Sequence, residues 1–139
     1  MPDAVASESV QLTAYTEQTV LVDVSSVAAA GATAAPGSGA TVLVLGEYTS
    51  TVAITVRVSY GAAIADAPSV NIYTSPDGTN WDTDAFATLS VSYAVNSTKQ
   101  KTVLLDSGTG GINRLAVQVV NNDASNALGA VLVTAQVGV

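Results

Sequence analysis

The sequence contains neither cysteine nor histidine, and each absence removes a class of chemistry. Without cysteine there is no disulfide framework, no thiolate metal site and no redox chemistry. That freedom from redox state suits a protein that must persist outside a cell. Without histidine, a Ser-His-Asp triad and imidazole-ligated metal sites are excluded. Charge is also scarce: Asp, Glu, Lys and Arg make up 11% of the chain, against roughly 25% in ordinary soluble domains. The only basic residues are Arg57, Lys99, Lys101 and Arg114, and the net charge is −7. A phosphate backbone is bound chiefly by clustered Lys and Arg, so nucleic acid is not an expected partner. An anionic membrane surface is excluded on the same ground. No run of about 18 consecutive apolar residues occurs, so no helical membrane span is expected. The first residues, Met1-Pro2-Asp3, lack the basic start and apolar run of a signal peptide.

What is abundant is small and β-branched. Of the 139 residues, 23 are Ala and 22 are Val, whereas there are ten Leu, four Ile, one Phe and one Trp. A branched Cβ packs well on a pleated surface, so strands with a thin, Val-rich core are expected. The length fits one domain, 1–139, large enough to bury a core without staples.

Period-2 alternation dominates the chain. From Thr51 to Tyr60, Val52, Ile54, Val56, Val58 and Tyr60 share one face, opposite Thr51, Ala53, Thr55, Arg57 and Ser59. Leu89, Val91, Tyr93 and Val95 repeat the pattern, as do Leu115, Val117 and Val119, and then Val131, Val133, Ala135 and Val137. Shorter candidates are Val10–Ala14, Val20–Val24, Thr41–Leu45, Val70–Thr74 and Thr102–Leu105. The alternation predicts about nine strands and no helix. Turn residues punctuate these runs at Gly61, Pro68, Ser75–Gly78, Asn96-Ser97, Ser107–Gly111 and Asn121–Asp123. The pattern is that of an all-β, two-sheet β-sandwich, and the strand number favours a jelly-roll-like arrangement over an immunoglobulin-like one. Ala28–Ala40 (AAAGATAAPGSGA) differs in texture. Its small side chains offset little ordering entropy, so it reads as a flexible surface loop or as an arm ordered on a neighbour. Met1–Ser9 is a second candidate arm.

No catalytic constellation stands out, and an enzyme is not expected. The three Glu residues, Glu8, Glu17 and Glu47, lie in separate early segments, and no Asp pair points to glycosidase chemistry. The densest polar cluster is Asp77–Asp84. Asn80, Asp82 and Asp84 alternate as calcium ligands do, yet the EF-hand pattern then finds Ala85 and Val91 where it needs Gly and Glu. The expectation is therefore a Pro-Asp-Gly turn with Asx hydrogen bonds, no metal and no cofactor. Trp81, in the same loop, either stacks on a sugar or folds back to cap the core with its indole N–H paired. The second alternative is the expected one. Asn96-Ser97-Thr98 is a glycosylation sequon that matters only on a eukaryotic secretory route. The outward strand faces are Thr, Ser and Ala, without evident charged gatekeepers at edges. A surface so poorly charged points to an assembly, or else to a simple Thr-rich exterior.

Two segments, Val70–Thr83 (VNIYTSPDGTNWDT) and Leu115–Leu128 (LAVQVVNNDASNAL) with the apolar strand after it, resemble small β-sandwich virion proteins of tailed bacteriophages. The likeness is strongest to jelly-roll decoration, or cement, proteins of capsids, and it covers the C-terminal half. That family fixes no catalytic residues. The resemblance implies a homotrimer or other oligomer on the capsid exterior, partnered with the phage major capsid protein, stabilising the shell and often reaching a neighbour with a terminal arm. Neck and tail placements are further alternatives. A carbohydrate-binding sandwich using Trp81 and nearby Tyr residues is the alternative from another class.

Overall fold

The computed structural model describes residues 18–45, 51–106 and 113–138. These form eight strands: β1 (Thr19–Val24), β2 (Leu43–Val44), β3 (Thr51–Ser59), β4 (Ser69–Ser75), β5 (Ala87–Ser90), β6 (Thr98–Asp106), β7 (Arg114–Val120) and β8 (Val131–Gly138). The ninth candidate, Val10–Ala14, and the arm Met1–Ser9 lie outside the described residues.

Two four-stranded sheets result, ordered β1-β8-β3-β6 and β2-β7-β4-β5. Each strand meets the partner that brings the sum of their numbers to nine: β1 with β8, β2 with β7, β3 with β6, β4 with β5. Antiparallel β3–β8 and β4–β7 pairs complete the sheets. This order is that of the jelly roll, in which two Greek keys wrap into a double sheet.

Alternation explains which side is buried. Val52, Ile54, Val56 and Val58 of β3 have no exposed surface, nor do Val70 and Ile72 of β4 or Val131 and Val133 of β8. Leu115, Val117 and Val119 of β7 face them from the other sheet, each at most 1% exposed. Burying each such side chain stabilises the fold by roughly 1.5–3 kcal/mol before ordering entropy is charged. In β1 the register with β8 shifts between Val20 and Val22. This bulge lets two successive residues, Leu21 and Val22, both point into the core.

Three strands differ from the expected runs in length, and of these the Thr41–Leu45 candidate shortens to Leu43–Val44. The run from Leu89 to Val95 keeps strand form only to Ser90, because β4 begins at Ser69 and offers no partner beyond it. The chain instead plugs one end of the sandwich. Tyr60 donates its hydroxyl hydrogen to the Val91 carbonyl at 3.0 Å, and Tyr93 donates to the Ile64 carbonyl at 2.6 Å. Their rings lie 5.7 Å apart, and burial raises the pKa of the Tyr60 hydroxyl. Strand β6, by contrast, extends back to Thr98 and pairs with β3 along its whole length. The Ala28–Ala40 segment is laid along β7. The Thr33 N–H donates to the Val119 carbonyl, the Val119 N–H donates to Thr33 Oγ1, and the Asn121 N–H donates to the Gly31 carbonyl.

Candidate functional site

The polar cluster after β4 is a self-contained turn. The Asp77 carboxylate accepts the N–H groups of Thr79 and Asn80, both at 2.8 Å, and the Asn80 amide at 2.8 Å. The Asn80 and Thr79 N–H groups hold this carboxyl well below the usual carboxylate range. Gly78 sits at φ +82°, a left-handed backbone conformation that favours glycine. Asp82 turns elsewhere, accepting the N–H and hydroxyl of Thr74 at 3.0 and 2.8 Å. The carboxylates are thus committed to separate donors. Among the described residues no three of His, Cys, Asp or Glu gather to hold a metal ion.

Trp81 folds back onto the Ala28–Ala40 segment and not onto the core it was expected to cap, and its neighbour there is not a hydrogen-bond acceptor. A Cβ on Gly37 would lie 3.5 Å from its Cδ1, so the indole packs against the Ala28–Ala40 segment. Its Nε1 is buried and has no partner among the described residues, which departs from the paired N–H expected. Apolar contact with a glycine-containing turn orients the ring, and the donor is left facing it. A buried donor of this kind costs about 1–3 kcal/mol.

A second polar cluster, which the sequence marks only as a turn, ties three loops together. Asn121 is buried and donates its amide to the carbonyls of Val27, Ala28 and Asn126. Asp123 accepts Ser125, Asn126 and Ala65 N–H groups at 2.8, 2.9 and 2.7 Å. The N–H groups of Ser125 and then Ala65 lower its pKa. Asn122 donates to the Ala67 carbonyl and Ser69 Oγ. The β1–β2, β3–β4 and β7–β8 connections are therefore fixed to one another by three consecutive residues.

The two outer faces differ. On the β2-β7-β4-β5 sheet, the Ala28–Ala40 segment passes from the β7 edge at Thr33 to Trp81 at Gly37, while Gln118 donates to the Thr33 carbonyl. Ala116, on the outward side of β7, is completely buried there. On the β1-β8-β3-β6 sheet no described segment crosses. Thr51, Ala53, Thr55, Arg57 and Ser59 stand beside Asp106, Leu104, Thr102, Gln100 and Thr98. Facing hydroxyls pair, Thr55 with Thr102 at 2.9 Å and Ser59 with Thr98 at 3.1 Å. Leu104 is 74% exposed and Val20, three strands away on β1, 48%. A shallow depression of about 310 Å³ lies at one end, between Asp23, Arg57, Thr98 and Leu132.

The two lateral edges differ as well. On β6, Lys101 and Lys99 stand directly opposite Val56 and Val58, so they share the inward side of the sheet. Lys101 Nζ reaches the Ser90 carbonyl on β5, 3.4 Å away, across the gap between the sheets. Inward-pointing charges of this kind are a recognised edge guard, which corrects the expectation of unguarded edges. The guards were hidden because Thr98–Lys101 is too polar to be read as strand. On the opposite side, a cleft of about 160 Å³ separates β1 from residues 33–41, with Val117 lining it as well.

No known family model matches the sequence, and no curated protein matches it. Among solved structures, one of Bacillus endospore appendages, described as a novel family of disulfide-linked pili, is 12% identical. That match covers 91% of this chain and 89% of the other at a TM-score of 0.43. The SPBc2 prophage-derived protein YomS is 16% identical, with 88% of this chain and 91% of the other covered, at a TM-score of 0.45. Likenesses this distant carry no functional argument, so function is argued from this chain's own surfaces.

Proposed function

We propose that this chain is a non-enzymatic structural protein of a bacteriophage particle, a homo-oligomeric decoration protein that binds the head exterior and reinforces the shell. The observation that carries the reading is the bare outer face of the β1-β8-β3-β6 sheet. Four of its hydroxyls are satisfied in two cross-strand pairs, most of its side chains on β3 and β6 are short, with Arg57 and Asp106 the charges there, and its most exposed large hydrophobic residue is Leu104. Such a face loses little desolvation energy on docking, because few charges must be stripped of water. A specific contact needs about 800 Å² per partner, and a flat sheet of short side chains supplies it by close approach. Repetition over a lattice then multiplies modest contacts through effective concentration. The resemblance of Val70–Thr83 and Leu115–Leu128 to capsid decoration proteins supplies the partner class, a phage major capsid protein.

The test mixes purified protein with undecorated heads and measures bound copies and resistance to heat or osmotic shock. Saturable binding that toughens the heads is expected, and Leu104→Asp should weaken binding without altering the β spectrum. A protein that neither binds nor toughens heads removes the decoration role.

A further inference from the structure

We propose that in the free protein a second copy of this chain covers the outer face of the β1-β8-β3-β6 sheet, about a two-fold axis that sets Asp23 of each copy on Arg57 of the other. This rests on the reading of that face as the docking surface and names a competitor for it.

One row of residues runs straight across the sheet. Leu132 of β8 stands opposite Asp23 of β1 on one side and opposite Arg57 of β3 on the other. Their sequence neighbours Val22, Val56, Val58, Val131 and Val133 are buried, so all three residues of the row point outward. Asp23 and Arg57 are exposed, Leu132 is half-buried, and together they line the shallow depression at that end of the face. Adjacent strands lie about 4.8 Å apart, which sets the two charged residues about 10 Å apart with Leu132 between them. Among the described residues neither the carboxylate nor the guanidinium has an ion-pair or hydrogen-bond partner.

Opposite charges placed symmetrically about an apolar centre are complementary to themselves. A two-fold axis that lies in the plane of contact and follows β8 exchanges the two sides of the row. It lays Asp23 over the partner's Arg57, Arg57 over the partner's Asp23, and Leu132 over the partner's Leu132. A two-fold axis across the strands would instead set each charge on its own kind, which repulsion disfavours. The next outward row runs from Val20 through Thr134 to Thr55, so the same operation covers exposed Val20 with the partner's Thr55. Each copy carries a net charge of −7, so copies approach best where the signs balance, and this row holds one charge of each sign. An isologous contact of this kind closes at two copies.

Overlap about this axis takes in β1, β8 and β3 and leaves β6, with Leu104, outside. Three strands by the eight residues of β8 measure about 14 by 27 Å. That places the contact at the small, reversible end of specific interfaces. A head that also engages Leu104 gains area that the second copy does not, and its repeated sites displace the partner. The free protein thus keeps its docking face covered until a lattice is present.

Charge reversal tests the axis. Sedimentation equilibrium of the full chain should show monomers in exchange with dimers. Asp23→Arg and Arg57→Asp should each weaken pairing at least tenfold, because each puts two like-charge pairs into the contact. The chain carrying both substitutions should pair as the parent does, and so should an equimolar mixture of the two single variants. Leu104→Asp, outside the overlap, should leave pairing unchanged while weakening head binding. A monomeric parent, single variants that pair like the parent, or a mixture that stays monomeric overturns the proposal. Head binding by a monomeric parent removes the second copy and leaves the decoration role. Dimers that follow the charge pattern but bind no head do the reverse.

Discussion

Along the β5–β6 side of the sandwich, Lys99 and Lys101 stand on the inward side of the terminal strand, and Lys101 spans the gap to Ser90. Along the β1 side, Leu21, Val22 and Val24 border a cleft whose far wall is residues 33–41. One sheet thus ends in a strand with two inward-pointing lysines at one side and, at the other, in a strand whose one charge is the exposed Asp23. A sheet open at both edges invites indiscriminate pairing, and one closed at both offers no strand-mediated contact. A single open edge gives association a direction. The open side is also the one whose wall depends on the Asn121–Asp123 cluster, since that cluster holds Val27 and Ala28 at the root of the wall.

The largest effect should appear on removing the guards. Lys99→Val with Lys101→Val is expected to give larger, concentration-dependent species than the parent chain, seen by light scattering. The urea midpoint should move little. If the mass distribution stays as it was, the lysines do not guard the edge. Next comes the root of the open side. Asn121→Ala removes the amide from the Val27, Ala28 and Asn126 carbonyls, of which Val27 and Ala28 keep a backbone N–H donor, and takes the acceptor from the Asp123 N–H, so it should cost about 2–3 kcal/mol in urea unfolding. Hydrogen exchange should quicken first in residues 27–33. A loss spread evenly over the domain would break the link between that cluster and the cleft wall.

A smaller effect is expected at Trp81. The ring is only partly buried and its N–H already lacks a partner. Trp81→Ala should therefore cost about 2 kcal/mol, below the roughly 3–5 kcal/mol of a fully buried aromatic. Trp81→Phe, which keeps a ring and removes the unpaired donor, should stay within about 1 kcal/mol of the parent. A large loss in the Phe variant would mean that the indole N–H has a partner after all.

The gentlest probe is acid. Asp77 and Asp123 both have lowered pKa values in the folded chain. Below the unfolded carboxylate value of about 3.9, the unfolded chain takes up protons that the folded chain refuses. Their contribution is therefore complete above that pH and fades as pH falls towards the folded values. The melting temperature should be flat between about pH 7 and 5 and fall at about pH 3. A rise on acidification would contradict the hydrogen bonding seen at both sites.

Much of the sandwich was legible because buried strands repeat every second residue. Val52 to Val58 and Leu115 to Val119 announce their inward faces in this way. Edges are less legible. Strand β6 owes its first residues to pairing with β3 rather than to its own Lys-Gln-Lys sequence, and Leu89 to Val95 loses half a strand because β4 runs out. The Ala28–Ala40 segment read as loop because small side chains bury little area. Its hydrogen bonds go to β7 backbone and to Gln118, which no local pattern displays. The same holds for Asn121 and Asp123, visible as turn formers but not as a tie between loops far apart in sequence. For the Asp77 turn, the Pro-Asp-Gly motif did display the Asx bonding that the structure contains.

The pairing that sums to nine also has a consequence in time. Only β4 and β5 are near neighbours along the chain. Each pair outside them, β3–β6, β2–β7 and then β1–β8, closes a longer loop than the one within. Loop closure grows costlier with length, and sheets made of distant pairings fold over milliseconds to seconds. Folding should therefore proceed from the middle of the chain outward, with pulse-labelled exchange protecting Val70–Thr74 before Val20–Val24. Equal protection of both from the earliest times would refute that order. On this schedule β1 is the last strand to dock, so that edge of the sheet is completed only once the rest of the subunit is finished.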